Sequence, residues 1–249
     1  MNKYFDSHCH LNMMEDSKMI MEKCESLNIN YCIVGTDLET SSKINKDYSS
    51  YSSSFIYSLG IHPEYADEVD RIEELDKMLE SSSCKAVGEC GLDYFFNKEN
   101  KEKQKKLFIT QIKLAIKYKL PLIIHCRDAY EDLYEILKTY HTKLSNILIH
   151  CFDTTFDWVE KFDEFDCYYA IGGKITYKKC DYLRESLKKM KHNRILTETD
   201  SPWLSPEPLR KEKNTPLNII CIVKFINELL GADLTEKIYE NTLNFFNLK

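Results

Sequence analysis

Short apolar runs alternate with longer amphipathic stretches along the whole of this 249-residue chain. Many of the runs are almost continuously apolar, as expected for strands with both faces buried in a parallel sheet. We predict strands at 4–10, 31–36, 55–63, 84–94, 120–127, 146–152, 167–173 and 194–202. We predict helices near 16–27, 39–50, 70–82, 101–119, 130–140, 154–163, 180–190, 215–230 and 234–247. Eight strands alternating with helices favour an α/β fold of the (β/α)8 TIM-barrel type, which commonly has about this length.

A doubly wound open sheet is the alternative that the same alternation allows. Such a sheet binds its ligand at one switch point with one or two loops, whereas a barrel gathers residues from the ends of many strands. The chain has no low-complexity linker and no sequence repeat that would divide it. We therefore predict a single barrel domain over residues 1–249, and the positions of the polar residues decide between the two sheets.

Polar side chains that suit metal binding end six of the predicted strands. They are His8 and His10, His62, Glu89 and Asp93, His125, His150, and Glu198 and Asp200. In a barrel all strand ends of this kind converge on one mouth. Burying several imidazoles and carboxylates there without a cation would be very costly, so the set predicts a centre for divalent metal ions. Imidazole and carboxylate ligands suit Zn, Mn, Fe, Co and Mg, and the sequence does not choose among them.

The stretch DSHCH in the first predicted strand shows the geometry that we expect. Side chains at i, i+2 and i+4 of a strand point to one face, so Asp6, His8 and His10 should look toward the mouth together. Four cysteines each follow a proposed ligand by one residue, and the same period turns their thiols toward the layer between barrel and helices. They are Cys9, Cys90, Cys126 and Cys151. A Cys/His zinc site is the rival interpretation, and it would require the pleat to break at all four places.

Charge and composition limit the partners that we expect. The net charge of −6 argues against a generic nucleic-acid binder. Residues 174–194, however, hold eight Lys or Arg and only two acids, which indicates either a phosphate-attracting surface or a solvated helix face. No apolar run approaches the ~20 residues that span a bilayer, and the amino terminus lacks the pattern of a signal peptide. We predict a cytoplasmic monomer with reduced thiols and no membrane partner.

With these residues in view, the sequence resembles the TatD family of metal-dependent deoxyribonucleases, within the amidohydrolase superfamily. The matching stretches are DSHCHL, SLGIHPEYA, AVGECGLDY, PLIIHCRDA, ILIHCF, ILTETDSPWLSP and NTLNFF, and they span nearly the whole chain. The resemblance implies a barrel that binds two divalent ions per subunit, such as Mg, Zn or Mn. It implies one ion on His8, His10 and Asp200, a second on His125 and His150, and Glu89 between them. It implies substrate contacts from His62, Asp93, Arg127 and Lys174.

The expected activity is hydrolysis of DNA phosphodiester bonds, from an end or in single strands, with a metal-activated water. Glu89 and Asp200 are the expected catalytic residues, and Asp200, or Glu198 beside it, is the expected proton acceptor. Metal-dependent attack on an acyl carbon, for example of aminoacyl-tRNA, is the alternative. A metallated lysine would favour it, but no Lys ends the fourth or fifth strand. A non-catalytic metal-binding protein is the third hypothesis, and it predicts missing ligands.

Overall fold

The computed structural model of the protein describes residues 3–48, 55–96 and 98–248. In these ranges the strands are Tyr4–Cys9 (β1), Ile29–Val34 (β2), Phe55–Leu59 (β3), Ala86–Asp93 (β4), Leu122–Arg127 (β5), Ile147–Ile149 (β6), Tyr168–Ile171 (β7) and Ile195–Thr197 (β8). The α-helices are Ser17–Ser26 (α1), Leu38–Tyr48 (α2), Ile72–Ser81 (α3), Lys101–Tyr118 (α4), Tyr130–Tyr140 (α5), Phe156–Phe162 (α6), Asp181–Lys189 (α7), Ile219–Leu230 (α8) and Thr235–Phe245 (α9). Residues 49 and 50 of the second predicted helix lie outside the described residues.

The eight strands form one parallel sheet in the order β1 to β8, and the sheet curls until β8 returns to β1. Backbone hydrogen bonds beyond the strand ends join the two edges: Asp200 N–H donates to the His8 carbonyl, and His10 N–H donates to the Ser201 carbonyl. The prediction of a (β/α)8 barrel is confirmed, and the open sheet is excluded. Because the closing residues include proposed ligands, the closure of the barrel also positions the site.

Apolar side chains fill the space inside the barrel, and α9 closes its amino end. Strand residues such as Phe5, Ile123 and Leu196 form one buried cluster with Phe245, the last residue of α9, and with Phe246 directly after it. A second and larger apolar cluster lies between the strands and the surrounding helices. The barrel is therefore packed from the amino end upward, and the buried imidazoles of the candidate site lie at the opposite end, as in other barrels of this type.

Several strands end before the polar residues that the sequence assigns to them. His62 lies three residues after β3, His150 directly after β6, and Asp200 three residues after β8. Beyond β6 and β8 the chain leaves the extended conformation, since Cys151 and Asp200 have φ angles of 45° and 54°, in the left-handed region. Three of the six candidate ligands therefore lie on the first few residues of loops, namely His10, His150 and Asp200, and the other three lie within strands. None of the described helices has the length and apolar character needed to cross a membrane.

Candidate metal centre

Glu89 lies at the centre of the mouth, with one carboxylate oxygen toward each of two pairs of histidines. Its Oε2 atom is 3.2 Å from His8 Nε2 and 3.7 Å from His10 Nε2. Its Oε1 atom is 2.8 Å from His150 Nε2 and 3.0 Å from His125 Nδ1. A carboxylate in this position can bridge two cations, because each oxygen faces its own pair of imidazoles.

The first group of ligating atoms comes from His8, His10 and Asp200. Asp200 Oδ1 lies 3.6 Å from His10 Nε2 and 3.9 Å from His8 Nε2, and the two Nε2 atoms are 3.2 Å apart. On the far side of its ring, His10 Nδ1 is 3.2 Å from the carbonyl oxygen of Val34. A carbonyl only accepts hydrogen bonds, so this contact keeps a proton on Nδ1 and leaves the Nε2 lone pair of the neutral ring for a cation.

The second group comes from Glu89, His125 and His150. His150 Nε2 and His125 Nδ1 are 3.4 Å apart and converge on the same oxygen of Glu89. Behind His150, its Nδ1 atom is 3.6 Å from Oε1 of Glu198. The His150 ring stacks on that of His8 with 3.9 Å between centroids, so the two groups are in direct contact.

A third group of atoms that could bind a metal ion adjoins the second. The sequence predicts one of its residues, His125, as a ligand and the other two as substrate contacts. It consists of His62, Asp93 and His125. Asp93 Oδ2 is 2.9 Å from His125 Nε2, and His62 Nε2 is 3.7 Å from Glu89 Oε1. His62 and Asp93 therefore contact the ligand set directly.

The two central carboxylates are ionised at neutral pH. Burial opposes ionisation of Glu89, but its electrostatic interactions with the surrounding imidazoles, that with His150 first, outweigh it and hold the pKa of Glu89 well below its usual value. Burial also opposes ionisation of Asp200, and hydrogen bonding to His10 with the charge of nearby histidines lowers the pKa of Asp200. Both side chains thus present anionic oxygens to a cation.

The histidines respond to the same surroundings in opposite ways. Burial is the main reason that the pKa of His8 is lowered and that the pKa of His62 falls to about 3. Burial acts in the same direction on His150, but the charges of Glu89 and Glu198 outweigh it and raise the pKa of His150 well above its usual value. Because a ligating imidazole must be neutral, a proton on His150 competes with a cation there.

Three buried polar atoms around the centre have no hydrogen-bond partner among the described residues. They are Nδ1 of His8, Nδ1 of His150 and Oε2 of Glu198. Buried polar atoms are normally paired, so their isolation indicates that this cluster is arranged for something other than hydrogen bonding. Its donors are imidazole nitrogens and carboxylate oxygens within 4.8 Å of one another in each group. These residues fit divalent cations such as Zn, Mn or Mg.

Comparison with known proteins agrees with this site. A family model described as TatD related DNase matches residues 5–247. The chain belongs to this family. A relative in Buchnera aphidicola, named an uncharacterized metal-dependent hydrolase, is 31% identical and aligns with 96% of this chain and 96% of its own. The uncharacterized metal-dependent hydrolase YabD of Bacillus subtilis is 33% identical over 95% of this chain and 92% of its own.

A solved structure extends the similarity to the coordinates. The crystal structure of YjjV, a TatD homologue from Escherichia coli, matches with a TM-score of 0.91 and 25% identity. The match covers 99% of this chain and 98% of that one. The protein is therefore a metal-dependent hydrolase of the TatD type with the TatD barrel.

The direction predicted for Asp6 is wrong. Its carboxylate accepts hydrogen bonds from the backbone N–H of Thr199 at 2.8 Å and from the Thr199 hydroxyl at 2.5 Å. The pairing of β1 with β2 shifts between Asp6 and Cys9, where three steps on β1 match two on β2, so strict alternation fails. In this TatD-family barrel Asp6 therefore anchors the segment that carries Asp200 and does not join the ligating groups.

Strand geometry accounts for three of the four thiols that follow proposed ligands. Cys9 and Cys90 belong to the apolar layer between barrel and helices, and Cys126 packs against it. Cys151 does not follow the prediction, because it lies beyond β6 with a left-handed φ of 45°. Burial and the nearby carboxylates, Asp200 first, raise the pKa of its thiol well above the usual value, so it stays protonated. No thiolate ligand is therefore needed to explain any of the four.

Glu198 is more deeply buried than Asp200. The side chain is fully buried, and its Oε1 accepts a 2.6 Å hydrogen bond from the backbone N–H of Cys151. Its charge supports His150 and the turn after β6. Asp200, with a side chain 14% exposed, remains the carboxylate that faces the mouth.

The basic residues predicted near the mouth are placed unevenly. Arg127, the last residue of β5, is exposed beside the centre. Lys174 is half-buried in an ion pair with Asp153. Four further basic residues of 174–194 form ion pairs with acids; they are Arg184, Lys188, Lys191 and Arg194. Lys178 and Lys179 are exposed in the loop before α7.

Two buried glutamines of α4 support the site, and the sequence interpretation missed them. The Gln104 side chain accepts from the backbone N–H of Asp93 and donates to its carbonyl, at 2.8 and 2.9 Å. Gln111 makes the same pair of hydrogen bonds, both 2.8 Å, with the backbone of Ile61, next to His62. Their signal in the sequence was two polar residues seven apart on the apolar face of a helix.

Proposed function

We propose that this protein is a divalent-metal-dependent nuclease that hydrolyses phosphodiester bonds of DNA. The observation that carries the proposal is the central position of Glu89, whose two oxygens face two separate pairs of imidazoles. Paired cations that share a ligand are suited to displacement at phosphorus, because they stabilise both the attacking and the leaving oxygen. The family description, TatD related DNase, supports DNA as the substrate.

The residues that would hold the cations divide as the groups above. His8, His10 and Asp200 would hold one, His125 and His150 the other, and Glu89 would contact both. Bound divalent cations supply Lewis acidity toward phosphate oxygens and lower the pKa of water from ~16 toward ~7. A hydrogen bond at the other ring nitrogen keeps the ligating nitrogen of a histidine unprotonated and free for a cation, as the Val34 carbonyl does at Nδ1 of His10.

Asp200 is the proton acceptor that we assign. Its low pKa keeps the carboxylate anionic at neutral pH, and its backbone is fixed by a hydrogen bond to the His8 carbonyl. Among the described residues its contacts with histidine rings are made through Oδ1, which leaves Oδ2 for the proton. Arg127 and the exposed Lys178 and Lys179 give the mouth of an acidic protein a local attraction for phosphate.

A substrate panel tests the proposal. The purified protein is analysed for bound metal and incubated with labelled single-stranded DNA, duplex DNA, RNA and an aminoacyl ester, with and without EDTA. We expect cleavage of DNA, its loss with EDTA, and its recovery when a divalent cation is added back. Hydrolysis of the ester without cleavage of DNA would overturn the proposal in favour of a deacylase.

A matched pair of histidine variants ties the activity to this site. His125→Ala should lose metal and DNA cleavage together. His141→Ala is the control, because His141 packs against Phe165 before β6, at the amino end of the barrel. Equal losses in the two variants would mean that the effect is not specific to the metal centre.

A further inference from the structure

Aromatic side chains are exposed at one end of this protein. Among the described residues, the exposed large aromatic side chains all lie beyond the carboxyl ends of strands, in the loops around the mouth or, for Tyr182, at the start of α7. They are Tyr65, Phe95, Phe96, Tyr182 and Trp203. Exposed aromatic surface costs free energy in water, so its confinement to the rim of the site indicates a ligand with apolar, flat parts.

Phe95 and Phe96 form the larger of two aromatic surfaces, which we call the Phe platform. Phe95 is 50% exposed and Phe96 is 72% exposed, and their rings meet edge to face with centroids 4.9 Å apart. Asp93 Oδ1 accepts the backbone N–H groups of both residues, at 2.9 and 3.0 Å, while its Oδ2 contacts His125. The platform is therefore fixed to the same carboxylate that touches the second ligand group.

Arg127 lies against the Phe platform. Its guanidinium carbon is 3.8 Å from the centroid of the Phe95 ring and 4.8 Å from that of Phe96. This contact positions a cation beside an exposed ring, at the end of the strand that carries His125. An aromatic face next to a cation suits a ligand that alternates flat bases with phosphates.

Trp203 forms the second surface, on the side of the first ligand group. The indole is 51% exposed, and its ring lies 5.2 Å from that of His10 at an angle of 65°. Its backbone N–H donates a 3.0 Å hydrogen bond to the carbonyl of Asp200. Each aromatic surface is thus attached to one of the two ligand groups, and the groups meet at Glu89.

We propose that the Phe platform and Trp203 stack the nucleobases on the two sides of the phosphodiester that is cleaved. The inference rests on the proposed nuclease function and adds its binding determinants. In a duplex the faces of the bases are covered by their neighbours, so stacking on protein requires a strand that is unpaired at the cut. Every base has a π face, so binding of this kind discriminates little between sequences.

Fluorescence of 2-aminopurine measures the stacking directly. Single-stranded phosphorothioate oligonucleotides, whose linkages resist hydrolysis, carry the probe at one position and are titrated with the metal-loaded protein. We expect binding to quench the probe. Phe95→Ala with Phe96→Ala, and separately Trp203→Ala, should each reduce the quenching and weaken binding on the order of tenfold, the range measured for loss of one stacked base.

Conservative variants separate stacking from simple apolar contact. Trp203→Phe should keep most of the binding, because an aromatic face remains. Phe95→Leu with Phe96→Leu should behave like the alanine pair, because its apolar volume has no π face. Leu27→Ala is the control, since Leu27 is 47% exposed between α1 and β2, at the other end of the barrel. Retention of quenching in the leucine pair would overturn the stacking interpretation.

Cleavage assays distinguish this inference from the proposed function. If the wild-type protein cleaves no nucleic acid under any metal condition, the nuclease proposal itself has failed. If it cleaves DNA but the alanine variants keep the wild-type KM on single strands, only the aromatic platforms are overturned. We expect the KM of the alanine variants to rise on oligonucleotides and to stay unchanged on bis(nitrophenyl) phosphate. Equal losses on that small ester would mean that the rings support the metal centre.

Discussion

At the amino end of the barrel, Phe245 at the end of the last helix and Phe246 directly after it pack under strand residues such as Phe5. The space between the strands is apolar there. At the carboxyl end, the same strands carry buried imidazoles and carboxylates. Two of the imidazole rings, those of His8 and His150, have a nitrogen without a hydrogen-bond partner among the described residues. The difference shows how one fold separates two demands. Burial of apolar area stabilises the first end, whereas the second end holds charges whose burial is favourable only with a cation.

Residues with positive φ angles occur at both ends of the barrel. Asn28, Lys119 and Asp166 precede strands at the amino end, whereas Cys151, Asp200 and Leu204 lie in loops at the carboxyl end. Conformations of this kind cost free energy in residues other than glycine and persist where surrounding contacts hold them. At Asp200 those contacts are backbone hydrogen bonds to His8 and from Trp203. The contrast in burial, apolar at one end and charged at the other, predicts that stability depends mainly on the amino end and activity on the carboxyl end.

Replacing Glu89 by Ala should have the largest effect on activity. The two oxygens of Glu89 each face one ligand group, so we expect loss of bound metal and a fall in kcat/KM beyond the ~10- to 100-fold typical of residues that only support a ligand. Metal analysis and circular dichroism should show a metal-poor protein with native secondary structure. Full activity would contradict the shared-carboxylate arrangement.

The complementary change at the other end is Phe245→Ala. The side chain is fully buried among aromatic rings, and we expect the free energy of unfolding to fall by about 3–5 kcal/mol, as for other buried Phe→Ala changes. Urea denaturation measures the loss, and kcat per folded molecule should be unchanged. A variant that is stable but inactive would show that the two ends are not independent.

Glu198→Gln should have an intermediate effect, because it keeps the volume and removes the charge behind His150. We expect metal affinity or activity to fall by roughly 10- to 100-fold. Titration of metal-free protein with Mn or Zn gives the affinity, and Glu160→Gln on the exposed face of α6 is the control. Unchanged affinity would mean that His150 is oriented by Glu89 alone.

Acid should weaken the carboxyl end through His62, whose pKa is about 3 in the folded protein against about 6.5 when unfolded. Between these values the unfolded chain binds a proton that the folded chain does not, so stability falls as pH is lowered through this window. In EDTA, the stability advantage of wild type over His62→Gln should shrink by roughly 1.4 kcal/mol per pH unit from pH 6 to pH 4. Parallel pH curves for the two proteins would exclude this contribution.

The smallest effect is expected from Lys178→Ala combined with Lys179→Ala. Both side chains are exposed beyond the ion pairs of the basic segment, where they can meet phosphates away from the cut. We expect KM on oligonucleotides to rise with little change in kcat, and the salt dependence to flatten by roughly 0.7 per lost contact. The double variant Lys188→Ala, Lys189→Ala on α7 is the comparison. Identical salt slopes would assign the segment to a solvated helix face.

The sequence by itself determined the barrel and the members of the central cluster. Alternating strands and helices have few compact arrangements, and parallel strands must present their carboxyl ends at one mouth. The position of a residue at a strand end therefore predicts that its side chain lies at the mouth. The central cluster meets there for this reason; its members are His8, His10, Glu89, His125 and His150.

Only the tertiary structure decided how the neighbours of that cluster are oriented. Asp6 turns to Thr199, a partner 193 positions away, because the register of β1 against β2 shifts by one residue. Cys151 leaves the pleat because β6 ends two residues earlier, and Gln104 reaches Asp93 only when α4 packs on β4. Such orientations depend on where each strand stops pairing and on what the fold brings beside it. Local periodicity carries neither quantity, since both are set by contacts between residues far apart in the chain.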